Sequence, residues 1–311
     1  MIWGAPGIGK SSIVSRVAEE SGRQLIDLRL SQLAPTDLRG LPVAKNGVSR
    51  WFPPEFLPNE GKGILFLDEI NMAPPAMQGM AQQLILDRQV GNYVLPKDWL
   101  IWSAGNRKED RASVYDMPAP LSNRFLHLNI EPELDSFKVY SLTNNVSDRI
   151  ISFLSFRPEL LHKIDNNQPA WPSPRTWIMA DQLYKIGLDI SISVGSGPAS
   201  EFYAFEKLYK SLPDLNLILN GRGEKIKFSK DPGTKYAIVI GLIGRQKNNK
   251  EALNAMKWLI KKATPEWVQL FVVDLFKVMR EKSTFIEFQK LLMKDPDMKK
   301  FLVEFRKIMI T

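Results

Sequence analysis

Gly4-Ala5-Pro6-Gly7-Ile8-Gly9-Lys10-Ser11 fits the spacing G-x-x-x-x-G-K-[ST]. In a loop of this kind the glycines let successive backbone N–H groups turn inward on phosphate, the lysine meets the outer phosphates, and the hydroxyl reaches a divalent cation. The residues that follow support this reading. Ile13, Val14, Val17 and Ala18 recur at helical spacing before Glu20, which predicts a helix whose positive end faces the loop. A nucleoside triphosphate, ATP or GTP, is therefore the expected ligand. In front of the loop only Met1-Ile2-Trp3 stand for the strand that should feed it, shorter than the usual length of about five or six residues. A preceding segment is expected to be missing.

Working outward, four short apolar runs at 25–30, 64–67, 100–104 and 126–130 alternate with helical or loop stretches, the pattern of a parallel sheet covered on both faces. Residues 31–62 carry Pro35, Pro42, Pro53, Pro54 and Pro58 and are too broken for one long helix. Pro74-Pro75 predicts a helix opening at Ala76, with Met77, Ala81, Leu84 and Ile85 buried. Gly91-Asn92, flanked by 88–90 and 93–95, predicts a hairpin. From Glu131 onward the periodicity is helical, with helices expected at 149–156, 173–186, 252–262, 265–279 and 285–293, and joints at 196–198 and 220–223. The expected organisation is an α/β nucleotide-binding core over 1–131, a small helical lid over 132–198 and a helical C-terminal region over 199–311.

Composition removes several chemistries. With 44% hydrophobic and 24% charged residues the chain is ordinary for a globular protein. It has neither a long apolar run nor a secretory signal pattern, so a cytoplasmic location is expected, the host cytoplasm if the source is viral. No cysteine is present, which excludes disulfides and thiol nucleophiles, and His127 and His162 are too few for a histidine-built zinc site. Catalysis must use carboxylates, Lys, Arg, hydroxyls and a bound metal. The net charge of +8 is uneven: residues 1–200 hold 20 Lys and Arg against 21 Asp and Glu, whereas 201–311 hold 22 against 13. Lys-rich faces such as Lys294, Lys299 and Lys300 could meet nucleic acid or an acidic partner, but solvated charge is the commoner explanation.

The second apolar run ends Ile64-Leu65-Phe66-Leu67-Asp68-Glu69, setting two carboxylates at the carboxyl edge of a buried strand, where open α/β sheets bind ligands. Asp68 is expected to hold Mg²⁺ together with Ser11, and Glu69 to polarise the attacking water. The third run leads to Gly105-Asn106, whose amide can position that water. Arg124, in Leu121-Ser122-Asn123-Arg124-Phe125, is placed to act on a neighbouring subunit's phosphate. Arg175 follows Ser173-Pro174 in a first helical turn, where a cation opposes the helix dipole unless an anion sits there.

In this order the motifs resemble those of AAA+ ATPases, and the strings DEINMAPPAMQ at 68–78, LSNRF at 121–125 and PSPRTW at 172–177 are similar to the MoxR family. The resemblance covers residues 1 to about 190 and suggests an N-terminally short bacterial or phage member. It implies an AAA+ P-loop NTPase core with a parallel sheet flanked by helices, and ATP with Mg²⁺ as cofactors. It also implies that Gly4, Pro6, Gly7, Ile8, Gly9, Lys10, Ser11, Ser12 and Asp68 hold the nucleotide, and that Glu69, Asn106, Arg124 and Arg175 serve catalysis. Family members form rings, commonly hexamers, that remodel or activate partner proteins, often ones with a von Willebrand factor A domain. Residues 41–52 look like the family's second-helix insertion. Absence of the segment before Gly4 puts adenine recognition in question, and 199–311 match no family pattern. Two other functions stay open on the sequence: a nucleic-acid motor or loader, and a nucleotide-gated scaffold with weak turnover.

Overall fold

The computed structural model describes residues 1–110, 114–165, 167–209, 212–299 and 301. The chain divides into two compact units, Met1–Glu131 and Pro132–Thr311. In the first unit the strands are β1 (Ile2–Trp3), β2 (Gln24–Arg29), β3 (Leu41–Lys45), β4 (Val48–Phe52), β5 (Gly63–Asp68), β6 (Gln89–Val90), β7 (Tyr93–Val94), β8 (Trp99–Gly105) and β9 (Leu128–Asn129). Its helices are α1 (Lys10–Glu20), α2 (Pro35–Arg39), α3 (Pro75–Asp87) and α4 (Ala119–Ser122).

Five strands form one parallel sheet in the order β2-β5-β8-β1-β9. Strand β5 is buried along its whole length, and its alternation shows why a continuous apolar run is needed there. Ile64 and Phe66 pack with Ile2, Val14 and Ala18 on the α1 face, while Leu65 and Leu67 pack with Met77, Ala81 and Leu84 on the α3 face. Each such side chain contributes about 1.5–3 kcal/mol by leaving water. The two faces thus fix the open α/β fold expected from the sequence.

Several expectations need correction. Strand β9 is only Leu128–Asn129, not 126–130, and β2 ends at Arg29 because Leu30 enters a single 3₁₀ turn. On α1, Val14 and Ala18 are buried but Ile13 is 41% exposed, so the apolar stripe is narrower than its spacing suggests. Residues 41–52 form an antiparallel hairpin, β3 with β4, whose side chains lie mostly in solvent.

The second unit is helical: α5 (Leu134–Thr143), α6 (Asp148–Phe156), α7 (Pro174–Lys185), α8 (Ser191–Val194), α9 (Ser196–Tyr209), α10 (Leu215–Leu219), α11 (Pro232–Arg245), α12 (Asn249–Lys262), α13 (Pro265–Glu281) and α14 (Phe285–Lys294). The joint expected at 196–198 is instead the first turn of α9, where Pro198 is tolerated because that turn lacks intrahelical N–H partners anyway. The lid boundary expected after residue 198 therefore falls inside a helix whose Ala199, Phe202 and Phe205 pack with Phe153 and Trp177 of α6 and α7. The joint at 220–223 is a true turn, with Gly221 at φ 74°. The C-terminal region expected to run to residue 311 includes 302–311, which lie outside the described residues.

Candidate functional site

The carboxyl ends of β1, β5 and β8 bring the sequence-derived candidates together. Directly after β1 the loop turns through Gly7 (φ 79°) and Gly9 (φ 95°), left-handed positions that a side chain would strain. Gly4 is fixed for another reason: a Cβ there would stand 2.6 Å from the Ile130 carbonyl and 2.5 Å from Ile8 Cδ1. Helix α1 begins at Lys10 with no side-chain cap and no acidic residue in its first turn. Its N–H groups and positive dipole end are thus offered to an anion.

Lys10 Nζ donates to the carbonyls of Gly4 (2.8 Å) and Ala5 (3.1 Å) and to Asn106 Oδ1 (2.9 Å). Ser11 Oγ donates to Asp68 Oδ2 at 2.8 Å. A hydroxyl and a carboxylate that close form a hard-oxygen pair suited to Mg²⁺, which keeps several waters and takes few protein ligands. The residues present therefore fit Mg²⁺ beside a phosphate. Among the candidates, Ser12 is exposed on the first turn, and Pro6 and Ile8 are half-buried in the loop.

Glu69 leaves the strand with φ 57°, a left-handed conformation costing a non-glycine residue about 1–2 kcal/mol. Its N–H donates to Asp68 Oδ1 at 2.8 Å, and its carbonyl accepts from Met72 and Ala73 N–H, which closes the turn into α3. Its carboxylate accepts a short hydrogen bond from Ser31 Oγ, just past β2. Asp27, on β2 and largely exposed, lies near both acids: partial desolvation first, then the Asp68 and Glu69 charges, push its carboxyl above the ordinary value, against the opposing pull of Arg29.

Asn106 is held from behind by a residue that sequence reasoning missed. Asn71 Nδ2 donates to the Asn106 carbonyl (2.7 Å) and Asn71 Oδ1 accepts from Asn106 N–H (3.2 Å). Gly105 makes room for this pair, since a Cβ there would lie 2.5 Å from Asn71 Oδ1. Ser31 and Asp27 gave no motif signal because each acts on a neighbour brought close only by the sheet, and Asn71 stood within the 68–78 string without a role assigned to it. A recess of about 420 Å³ lies beyond Asn106, lined by Trp3, Asn71, Arg107, Tyr115 and Ser122 but by no residue of the loop, so it is not the phosphate site.

The two candidate arginines lie one in each unit. Arg124 is exposed in the turn after α4, with no side-chain hydrogen bond or ion pair among the described residues. Arg175 belongs to the second unit, exposed in the first turn of α7, whose Ser173 cap accepts from Thr176 N–H.

With the geometry in view, residues 1–125 match the AAA domain family, dynein-related subfamily. Midasin of Giardia intestinalis is 26% identical over 140 residues, which are 42% of this chain and 3% of that protein. The chain thus spans a small fraction of the curated relative's length. Among solved structures, the RuvB Holliday junction branch migration motor of Thermotoga maritima is 16% identical, covering 85% of this chain and 87% of its own at a TM-score of 0.39. NtrX of Brucella abortus in complex with ADP is 16% identical, covering 84% and 64% at a TM-score of 0.39. The matched segment ends just past Arg124 and contains Lys10, Ser11, Asp68, Glu69, Asn106 and Arg124. Over residues 1–125 the chain is thus similar to AAA domains of the dynein-related subfamily.

Proposed function

We propose that this chain is a MoxR-type AAA+ ATPase that assembles into a ring, commonly of six copies in that family, and uses ATP hydrolysis to remodel or activate a partner protein. The observation that carries the reading is the convergence of Lys10, Ser11, Asp68, Glu69 and Asn106 on one sheet edge. In this proposal Lys10 exchanges its carbonyl partners for the outer phosphates. Ser11 and Asp68 hold Mg²⁺, which would offset phosphate charge. Glu69 takes the proton of the attacking water, and Asn106, steadied by Asn71, orients that water. Arg124 acts on the phosphate of an adjoining copy, and Arg175 reports phosphate to the helical unit. The strings at 68–78, 121–125 and 172–177 support the MoxR assignment and, through it, a von Willebrand factor A domain in the partner and a cytoplasmic setting. No described helix is long and apolar enough to cross a membrane.

Glu69→Gln is expected to keep Mg-ATP binding and lower turnover ~100-fold or more, because it removes the proton acceptor and no phosphate contact. Lys10→Ala is expected to weaken binding itself. Isothermal titration with ATP beside a phosphate-release assay checks both, and unchanged turnover in Glu69→Gln would refute the assignment.

A further inference from the structure

In the second unit, a cleft of about 340 Å³ opens between α12 and the turn that follows α10, with Gly221, Gly223, Glu224, Trp258, Lys261 and Lys262 in its lining. One wall is nearly bare backbone. Gly221 and Gly223 leave it open, and a Cβ at Gly223 would lie 2.8 Å from Ile218 Cγ1 and 3.2 Å from the Trp258 ring. The floor is rigid: Trp258 Nε1 donates to the Gly223 carbonyl at 2.9 Å and Asn254 Nδ2 to the Leu219 carbonyl at 2.8 Å. With its Nδ2 so engaged, Asn254 keeps its amide oxygen as an acceptor beside the Glu224 carboxylate.

The opposite wall is cationic. Lys257 is paired with Asp295, but Lys261 and Lys262, one turn further along α12, are exposed and make no ion pair among the described residues. The cleft therefore offers two ammonium groups on one side and acceptors on the other.

That mixture selects among anionic ligands. A nucleic-acid strand needs phosphate contacts along its path and gains from exposed rings on which bases stack. Here Trp258 is 6% exposed, which leaves no open ring face for a base to stack on. An extended peptide carries both complements, with carboxylates for the lysines and backbone N–H groups for Asn254 and Glu224. We propose that this cleft binds an acidic peptide segment of a partner protein, Lys261 and Lys262 reading its carboxylates and the glycine wall admitting its backbone. The inference uses the second unit alone and stands apart from the ATPase reading.

The test uses the full chain and a short fluorescein-labelled peptide alternating Glu and Leu, followed by fluorescence anisotropy, with a Gln-Leu peptide and a single-stranded DNA oligonucleotide as controls. Binding of the Glu-Leu peptide is expected to weaken about 10-fold or more in Lys261→Glu/Lys262→Glu and to return in Lys261→Arg/Lys262→Arg, since two attractive charges become repulsive. Mg-ATP turnover should stay at the parent level in both, which separates loss of the cleft from loss of the fold or of the nucleotide site. Equal peptide binding by the parent and the charge-reversed protein would overturn the proposal. So would DNA binding as tight as the peptide's and lost in the same variant, which would make the surface a nucleic-acid one.

Discussion

At the scale of single residues, the nucleotide edge gathers three acids, and Asp27 bears the cost. Partial desolvation and its acidic neighbours raise its carboxyl, so folding favours its protonated form. The sign follows: that stabilising preference is present at low pH and is lost as pH rises through the folded value, above which an ionised Asp27 works against the fold. Asp27→Asn is therefore expected to raise the melting temperature at neutral pH, with the gain shrinking as pH falls through the raised folded value and gone below the ordinary carboxyl value of 3.8. Added Mg²⁺, drawn to Ser11 and Asp68, should also shrink it by supplying positive charge nearby. Circular-dichroism melts across pH, with and without Mg²⁺, measure this, and identical curves for parent and variant would contradict it. Asp27 shows how site chemistry escapes a sequence reading. The loop and the Asp68-Glu69 pair were legible because spacing along the chain encodes them. Asp27, Ser31 and Asn71 matter only through strand neighbours that are distant in sequence.

Among the secondary elements, the buried strand β5 and the capped helix α7 were readable because hydrophobic runs and capping residues are local signals. The hairpin of β3 and β4 was not, since its apolar side chains Leu41, Val43, Val48 and Phe52 face solvent and follow no core periodicity. Helix α9 was misread because Ser-Gly-Pro signals a break except in a first turn. Nor does local sequence reveal how α5 meets α13, through Lys138 and Asp274, both buried and joined at 2.8 Å, with Asp135 at 2.9 Å from the same ammonium. Burial disfavours the Lys138 charge, but the two carboxylates outweigh it and hold its pKa above the ordinary value. Lys138→Met should strand the Asp274 charge and cost about 3–5 kcal/mol, whereas Lys138→Met with Asp274→Leu should recover most of that loss. Urea denaturation midpoints decide this; a double variant no more stable than the single one would show that the pair does more than neutralise itself.

For the whole molecule, the proposed assembly makes activity depend on company. If Arg124 acts across a boundary between copies, Arg124→Ala should bind ATP yet fail to hydrolyse it, and parent activity should rise more than linearly with concentration. Mixing Arg124→Ala with Glu69→Gln should recover part of the rate, because some boundaries then join an intact Glu69 to an intact Arg124. No recovery at any ratio, with a monomeric mass in Mg-ATP, would make the arginine structural. In the proposed assembly, communication between copies would run through β1, whose two residues stand between β8 and β9. The Trp3 carbonyl receives Ile130 N–H at 2.8 Å immediately before the loop begins, and the Met1 carbonyl receives Leu128 N–H at 2.9 Å just after the Arg124 turn. Loop and arginine segment are thus tied to one short splint. With the Ile130 carbonyl set against Gly4, a shift of the loop in the proposed phosphate cycle would be passed to the segment carrying Arg124 as a lever passes motion about its pivot.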